Sequence, residues 1–551
     1  MIALSELIEV LTLVFLTASF TLMVLDRFDH PALPAYILAG LLVGPLIPEQ
    51  DILTFSQIGI AFLVFIFGVK LDINRIRSVA SESQFTATLQ VALIGVLGFG
   101  LGLLLNLSVM EALYFSVFAS LSSSLVGLQL IQQEINIDLI HGRIAESIQL
   151  IQDIIAIALV IGLTALSSGA NIATQFLYGL GLMTLALIFR EYLFDYIGRL
   201  IENSRELFMI TSIAFLSGFI GIAVVLNLSI AVGAFAAGLA VSKFPHNMEI
   251  LDTTGSLKDF FSALFFISLG ALATFPGFQT LLLATVLVLL VAVAKPMITV
   301  LGLISTGFDD RTAHLSGFSL DQVSEFSLII GITGHINGTI SGSLFNALIL
   351  AATFTMITSA YTTRHEEVLY RIIREIDFLP TNKSVPKSDD IGDLENHIIL
   401  AGYDTQGKRI VDALNKEEVD YIVIENDPEK IEELREKDEP YLYGDVMDIF
   451  PWQEAGLENA QLIVSTVPVK KISEHILDLD TDADIILRSE NVTEASELLE
   501  RGALYVNVPE ILSSEMLVDH MEGVMQDKNY REELRRRNLL EIRKFLQSDE
   551  G

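Results

Sequence analysis

The stretch IAESIQLIQDIIAIALVIGLTAL, residues 144–166, places a glutamine and an aspartate in the middle of a long apolar run. The run can cross a bilayer as one helix, which needs roughly 17 to 25 residues. Asp153 would then lie in hydrocarbon unless it faces protein or water, and an ionisable residue at this depth indicates a functional site. Gln152 adds an uncharged amide beside it. Together they offer oxygen ligands and one negative charge to a bare cation.

Apolar runs of similar length recur along the chain up to about residue 362. The composition, with 52% hydrophobic residues and a mean hydropathy of +0.54, is also typical of a membrane protein. We count thirteen candidate spans, the fifth centred near residue 121 and the twelfth near residue 324. The sequence therefore predicts a multi-pass, all-α domain in the lipid bilayer of the cell membrane.

Basic residues are confined to alternate loops between these spans, and the opposite loops contain none. The basic loops hold Arg27, Lys70, Arg75, Arg77, Arg143, Arg190, Arg199, Arg205, Lys243, Lys258 and Arg311. Loops rich in Lys and Arg stay in the cytoplasm. The pattern predicts an amino terminus outside the cell and, because the number of spans is odd, a cytoplasmic carboxyl terminus.

The overall charge is strongly acidic, with 68 Asp and Glu against 34 Lys and Arg and a formal charge of −34. Such a field repels nucleic acid, so we expect no nucleic-acid partner. The acids are spread over many segments, which favours a hydrated surface suited to high intracellular salt, as in a halophilic organism. The absence of cysteine excludes disulfides and thiolate metal sites, and we assign no metal site.

A linker divides the chain into a membrane part and a soluble part. Residues 377–394 read DFLPTNKSVPKSDDIGDL, which is rich in Pro, Ser and Asp and has no periodicity. We therefore predict a transmembrane domain at 1–376, a soluble domain at 395–510 and a helical tail at 511–551. In the soluble domain, short β-branched runs alternate with charged helical patterns, which predicts a Rossmann-like α/β fold with a parallel sheet.

The first predicted strand of the soluble domain runs into Gly402-Tyr-Asp404-Thr-Gln-Gly407, and the second strand ends at Glu425. In a dinucleotide fingerprint, Gly402 would make the tight turn and Gly407 would allow close helix packing. Glu425 could accept hydrogen bonds from ribose hydroxyls. The middle glycine is replaced by Asp404, which puts a negative charge where a pyrophosphate approaches the helix.

Asp445, directly after the third predicted strand, is placed to contact an adenosine, or it belongs to an ordinary turn. Two interpretations of the domain stay open. One is an adenine nucleotide of the NAD(H) or AMP type, bound as a regulator and not as a required cofactor. The other is a nucleotide-type fold used only for assembly. The charged tail is expected to pack against another subunit.

The membrane half resembles the monovalent cation:proton antiporter family 2, and the soluble half is similar to the TrkA-N, or regulator-of-potassium-conductance, domain. Kef-type potassium/proton antiporters combine the two. The residues that carry the resemblance are LPAYILAGLLVGP at 33–45, Ser122-Ser-Ser124, Gly142-Arg143, Gln152-Asp153, Lys295 and Ser324-Glu325-Phe326. The resemblance implies secondary-active exchange of K+ and H+, a homodimer, and two inverted repeats whose broken helices cross at the fifth and twelfth spans.

The resemblance assigns roles around the breaks. Asp153 would bind the cation or the proton in turn, with Gln152 as a second ligand. One carboxylate that holds either guest predicts an electroneutral one-for-one exchange. Lys295 would pair with Asp153 when the cation is absent, or extend to the interface. Glu325 would line the ion path or make a structural pair.

Small residues at each break can satisfy the freed backbone groups. Ser122, Ser123 and Ser124 would do so in the fifth span, or would only allow close packing. Gly331 and Gly334 are the candidates in the twelfth. The chain departs from the family at Lys70, where Glu is usual, and at Ser324, where Gly is usual.

Two alternatives to potassium/proton exchange remain. Sodium/proton exchange by the same fold is the runner-up, because selectivity depends on cavity size and ligand number. A ligand-gated potassium channel would also join membrane spans to this soluble domain. The chain has no Thr-Val-Gly-Tyr-Gly filter, whose carbonyls would replace the hydration shell of potassium, and a channel needs far fewer spans.

Overall fold

The computed structural model divides the chain into two compact units, Met1–Thr381 and Asn382–Gly551. The structure describes residues 4–27, 32–71, 81–124, 139–168, 171–194, 205–243, 246–376, 394–526 and 530–549. All but the last residue of the predicted linker, 377–394, lies outside these ranges.

The regular elements among the described residues of the first unit are all helices, as the apolar runs predict. Its helices are α1 Leu4–Asp26, α2 Ala32–Val43, α3 Glu49–Lys70, α4 Ser81–Leu104, α5 Val109–Ser120, α6 Ile140–Ser168, α7 Ile172–Ile188, α8 Arg205–Val225, α9 Ile230–Ala240, α10 His246–Leu272, α11 Phe278–Leu289, α12 Lys295–Ser305, α13 Asp310–Phe318, α14 Glu325–Ile336, α15 Gly342–Arg364 and α16 Glu366–Ile376. Five-residue π-helical turns follow α7 and α11.

Seven stretches of described helix are long and apolar enough to cross a membrane. They are Glu49–Lys70, Ser83–Leu104, Ile140–Leu166, Ile172–Leu193, Glu206–Val225, Phe278–Ser305 and Gly342–Arg364. Shorter apolar helices lie at the other predicted positions, at Leu11–Leu25, Ala32–Leu46, Val109–Ser120, Ile230–Ala240, Asp259–Leu272 and Glu325–Ile336. The multi-pass helical fold is confirmed, and the count of thirteen crossings stays a prediction.

Both predicted helix breaks are present. Helix α5 ends at Ser120 and the next residue, Leu121, is extended. In the twelfth span, α13 ends at Phe318 and α14 begins only at Glu325. This second break therefore precedes the glycines proposed for it.

Gly331 and Gly334 lie inside α14, where they allow close packing. A Cβ atom on Gly331 would lie 2.3 Å from Leu348, and one on Gly334 would lie 2.6 Å from the Tyr114 ring. The expectation that they serve the second break is wrong, because the chain is already helical again from Glu325.

Glycines also set how closely α2 and α10 approach each other. A Cβ atom on Gly40 of α2 would lie 1.9 Å from the Ile267 carbonyl oxygen of α10, and Gly270 faces Ile37 in the same way at 1.9 Å. Reciprocal contacts of this kind bring backbone against backbone, which is how small residues join helices where lipid removes the hydrophobic driving force.

The second unit contains one six-stranded sheet in which every recorded pair is parallel. The strands are β1 His397–Ala401, β2 Tyr421–Glu425, β3 Tyr441–Tyr443, β4 Ala460–Ser465, β5 Asp484–Arg488 and β6 Tyr505–Asn507. Their spatial order is β3-β2-β1-β4-β5-β6. This is the order of a dinucleotide-binding Rossmann fold, with the switch point at β1 and β4. The α/β prediction is confirmed.

Helices connect these strands and extend beyond the last one. They are α17 Thr405–Glu417, α18 Pro428–Glu436, α19 Ile449–Glu454, α20 Lys470–Leu477, α21 Val492–Glu500, α22 Pro509–Gln526 and α23 Tyr530–Asp549. Within its unit, α22 buries none of its residues.

Candidate functional site

The two breaks meet and bond to each other. The Ser122 hydroxyl donates to the Leu320 carbonyl oxygen at 3.0 Å, and these residues are 198 positions apart in the chain. A helix interrupted inside a membrane leaves backbone groups that water cannot satisfy. Contacts between the breaks supply some of the hydrogen-bond partners that the backbone of each break lacks.

Lys295 satisfies carbonyl groups of both breaks at once. Its ammonium donates to the Leu121 oxygen at 3.1 Å and to the Gln322 oxygen at 2.7 Å, and the side chain is fully buried. Both carbonyls follow the carboxyl ends of helices, α5 and α13, where a positive charge is favourable. In this conformation the side chain does not extend to an interface.

The local sequence positions Lys295 for this contact. A π-helical turn, Leu290–Ala294, precedes it, and Pro296 follows it. Proline cannot donate the backbone hydrogen bond of a regular helix, so the widened turn stands where a regular ladder would be broken.

Asp321 is the charged neighbour of Lys295. It is buried in the second break and lies close to Ser359 and Thr362 of α15. The predicted partner of the lysine was Asp153. Here the ammonium lies against two carbonyls and beside Asp321.

Gln152 braces the first break. Its Oε1 accepts from the Ser122 amide at 2.8 Å, and its Nε2 donates to Gln90 Oε1 at 2.5 Å. Gln90, in α4, donates in turn to the Ser120 carbonyl at 3.1 Å. The two side chains and the backbone at the end of α5 form one network, and both side chains are buried. In this conformation both ends of the Gln152 amide are engaged.

Asp153 lies next to a second carboxylate. The Ser124 hydroxyl donates to Glu325 Oε1 at 2.9 Å and is also within hydrogen-bonding reach of Asp153. Glu325 repels Asp153, and Lys70 attracts it. Glu325 is fully buried, whereas Asp153 is half-buried. The site therefore holds two carboxylates, where the Gln-Asp pair alone predicted one negative charge.

Ser324 explains how the second break is held. Its hydroxyl accepts from the Phe326 amide at 3.0 Å and so caps α14. Serine is a preferred residue at this position, whereas the glycine usual in the family has no side chain to cap the helix. Glu325, one residue later, places its charge at the amino end of α14, where a negative charge is favourable.

We call the region where the two breaks meet the crossing. It contains all seven membrane residues predicted from the sequence. They are Asp153, Gln152, Lys295, Glu325, Ser122, Ser123 and Ser124, the Ser123 carbonyl accepting from Gln149 and Gln322. Sequence reasoning missed Gln90, Asp321 and Gln322. Each is a polar residue at membrane depth, and that signal could have found them.

The nucleotide candidates lie at the carboxyl edge of the sheet, where such folds bind ligands. Gly402 has φ +95°, which suits the tight turn, and a Cβ on Gly407 would lie 2.3 Å from the Gly402 oxygen, so Gly407 allows the close approach of the helix. Glu425 accepts from the Tyr403 amide at 2.7 Å. Asp445 accepts from the Met447 amide at 2.9 Å.

The residues at this edge do not fit a pyrophosphate. Asp404 caps α17 through the Gln406 and Gly407 amides, at 3.0 and 2.8 Å, which are the donors that a pyrophosphate would use. Its second oxygen accepts from Arg488 at 3.2 Å.

Comparison with known families agrees with both halves of the structure. The family described as "Sodium/hydrogen exchanger, transmembrane" matches residues 13–364, and the TrkA-N domain matches residues 398–509.

Curated relatives and a solved structure are similar to the chain over most of its length or of its membrane half. A protein of Alkalimonas amylolytica, named as a K(+) efflux antiporter, KefB, is 26% identical over 91% of this chain and 78% of its own. The glutathione-regulated potassium-efflux system protein KefC of Klebsiella pneumoniae is 27% identical over 86% and 78%. The sodium proton antiporter MjNhaP1 of Methanocaldococcus jannaschii superposes with a TM-score of 0.51 at 16% identity, covering 66% of this chain and 97% of its own, and shows the shared fold.

We predict that Gln90→Leu destabilises the membrane unit. The change leaves the Gln152 amide and the Ser120 carbonyl without partners in a buried network, a cost of about 1–3 kcal/mol. Thermal unfolding of the purified protein in detergent measures the loss. Thr88→Val is the matched control, because Thr88 is exposed on the same helix and bonds only to Gln84 of its own turn. Equal melting temperatures for the two variants would contradict the bracing role.

Proposed function

Because the chain belongs to the sodium/hydrogen exchanger family, we propose that it exchanges potassium ions for protons across the cell membrane as a secondary-active antiporter. The potassium-efflux names of its relatives and its Gln152-Asp153 pair support potassium as the cation. Sodium is the second candidate, since the fold is shared with a sodium proton antiporter. The relatives are transporters, which supports a role without enzymatic chemistry.

The observation that carries the proposal is the carboxylate pair at the crossing. Asp153 and Glu325 approach the same Ser124 hydroxyl in a buried, low-dielectric setting. Two like charges repel strongly there, and one positive guest between them relieves the repulsion. A proton and a potassium ion relieve the same repulsion, so each excludes the other from the site. Exchange then follows without a further catalytic group.

The charge balance supports a one-for-one, electroneutral cycle. Asp153 loses its proton when the cation binds and regains it when the cation leaves, so the site carries the same charge across the membrane in both directions. Lys295 holds the crossing together and stays bound to backbone carbonyls. The crossing therefore moves as one body, which exposes Asp153 to each side in turn, as expected of antiporters built from inverted repeats.

The arrangement in the membrane follows from the loop charges. We place the amino terminus outside and the TrkA-N domain in the cytoplasm, where the basic loops lie. The chain contains no cysteine, so a single cysteine introduced near residue 2 tests this by its labelling from outside intact cells.

A homodimer is the proposed assembly. Helix α22 supports it, because its exposed apolar side chains, which include Met516, Leu517 and Met521, find no cover within their own unit. A mass of one chain in detergent would contradict this proposal.

Regulation passes through α16, the helix that leads toward the TrkA-N domain. Glu367 pairs with buried Arg311 of α13, and Tyr370 donates to Asp310 at 3.4 Å. Glu366 lies 3.7 Å from His141, at the start of the helix that carries Asp153. A shift of α16 would therefore move one broken helix and the Asp153 helix together.

Two signals could shift α16. One is an adenine nucleotide of the NAD(H) or AMP type bound by the TrkA-N domain. The other is the assembly of two such domains. The contacts of Asp404 favour assembly, because they fill the position that a phosphate would take.

Asp153→Asn should abolish exchange in proteoliposomes, because the amide can bind neither a proton nor a cation by its charge. Proton movement is followed with a pH-sensitive dye after potassium or sodium is added outside. Glu49→Gln, an exposed carboxylate at the start of α3, is the control and should exchange like the unmodified protein.

Exchange by Asp153→Asn at the unmodified rate would reject the site, and a response to sodium alone would change the cation. Sustained flux above about 10⁵ ions per second would exceed the rate of collective protein motions and support a channel instead.

Glu367→Gln should release α13 from α16 and raise the exchange rate about fivefold or more, which is the lower end of typical coupling between sites. The same dye assay measures it. Arg371→Gln, exposed on the same helix, should leave the rate unchanged. The double exchange Arg311→Glu with Glu367→Arg restores the pair and should return the rate toward its original value. Unchanged exchange in stable Glu367→Gln protein would show that α16 transmits nothing.

A further inference from the structure

Asp404 stands at the position that the dinucleotide fingerprint keeps free for the pyrophosphate. The two outer glycines keep their structural roles, since a Cβ on Gly402 would lie 2.7 Å from the Thr466 hydroxyl and Gly407 packs on the Gly402 oxygen. The middle glycine exists in that fingerprint so that a phosphate can approach the backbone. Of the three glycine positions of the fingerprint, only the one that approaches the ligand carries a side chain in this chain.

The donors of the anion site are already used. One Asp404 oxygen accepts both amides at the start of α17, those of Gln406 and Gly407, at 3.0 and 2.8 Å. The other oxygen is paired with Arg488, the cation at the end of β5, at 3.2 Å. Arg488 also donates to the Thr466 carbonyl at 3.4 Å. A phosphate would have to displace a carboxylate that belongs to the chain itself.

The ribose position is filled as well. Glu425 is buried, and its two oxygens accept four hydrogen bonds, from the amides of Tyr403, Asn426 and Asp427 and from the Lys430 ammonium, at 2.7, 2.9, 3.0 and 3.4 Å. A carboxylate offers about four lone-pair sites. A ribose hydroxyl would have to displace one of these donors, and the long contact from the flexible Lys430 side chain is the one most easily given up.

We infer that Asp404 is a built-in substitute for the pyrophosphate, so that the TrkA-N domain of this chain excludes NAD(H) and related dinucleotides. The carboxylate holds the loop between β1 and α17 in the shape that a bound phosphate would otherwise stabilise. The loop then keeps this shape with no nucleotide bound. This inference concerns binding alone and stands whether or not the domain regulates exchange.

The test is NADH binding to the full-length protein in detergent, followed by NADH fluorescence. The unmodified protein should show no saturable binding up to about 1 mM. Asp404→Gly frees both amides and Arg488, and should bind NADH with a Kd below about 100 µM, a gain of at least tenfold. Glycine is nearly as good a helix cap as Asp, so the variant should fold, and its thermal unfolding checks this.

Two further variants make the result decisive. Asp412→Asn removes one charge from the exposed face of the same helix and should not bind NADH. Asp404→Ser keeps a cap without the charge and should gain binding if Asp404→Gly fails to fold. Saturable binding by the unmodified protein overturns the inference. So does equal binding by Asp412→Asn and Asp404→Gly, or no gain in either folded Asp404 variant.

Discussion

The membrane half depends on one constraint, that a helix broken inside a bilayer must find partners for its open backbone groups within the protein. The Lys295 ammonium supplies partners at both breaks, because it donates to the carbonyl oxygens of Leu121 and Gln322. The Gln152 side chain accepts a hydrogen bond from the Ser122 backbone amide, and Ser324 caps the helix after the second break. These contacts join segments almost 200 residues apart. They also create a polar interior between the helices.

The same constraint separates the polar residues of the crossing by task. Three side chains hold the two breaks in place through hydrogen bonds. Lys295 and Gln90 donate to backbone carbonyls, and Gln152 donates to Gln90. Asp153 and Glu325 both approach the Ser124 hydroxyl, which brings two carboxylates together at one point. We propose that stability and exchange therefore rest on neighbouring but different side chains.

In the soluble half, the backbone amides at the amino end of α17 are likewise satisfied by the protein itself. A helix start exposes amide groups that attract an anion. In this chain Asp404 supplies that anion, and Arg488 balances the charge. The fold keeps the strand order of a nucleotide-binding domain, but its residues satisfy each other. A fold of this type does not by itself establish a ligand.

The sequence alone determined the helical membrane domain and the parallel sheet, because apolar run length and β-branched alternation are local signals. The two breaks were expected only from the resemblance to a known family. The sequence also singled out Asp153 and Asp404, since a charge in an apolar run or in a glycine motif is visible without coordinates. Only the tertiary structure showed that Glu325 approaches Asp153, that Lys295 lies beside Asp321, and that Gln90 holds Gln152. It also moved the second break away from Gly331 and Gly334. These facts depend on which helices cross and how closely, and contacts between residues up to 200 positions apart leave no periodic trace in the chain.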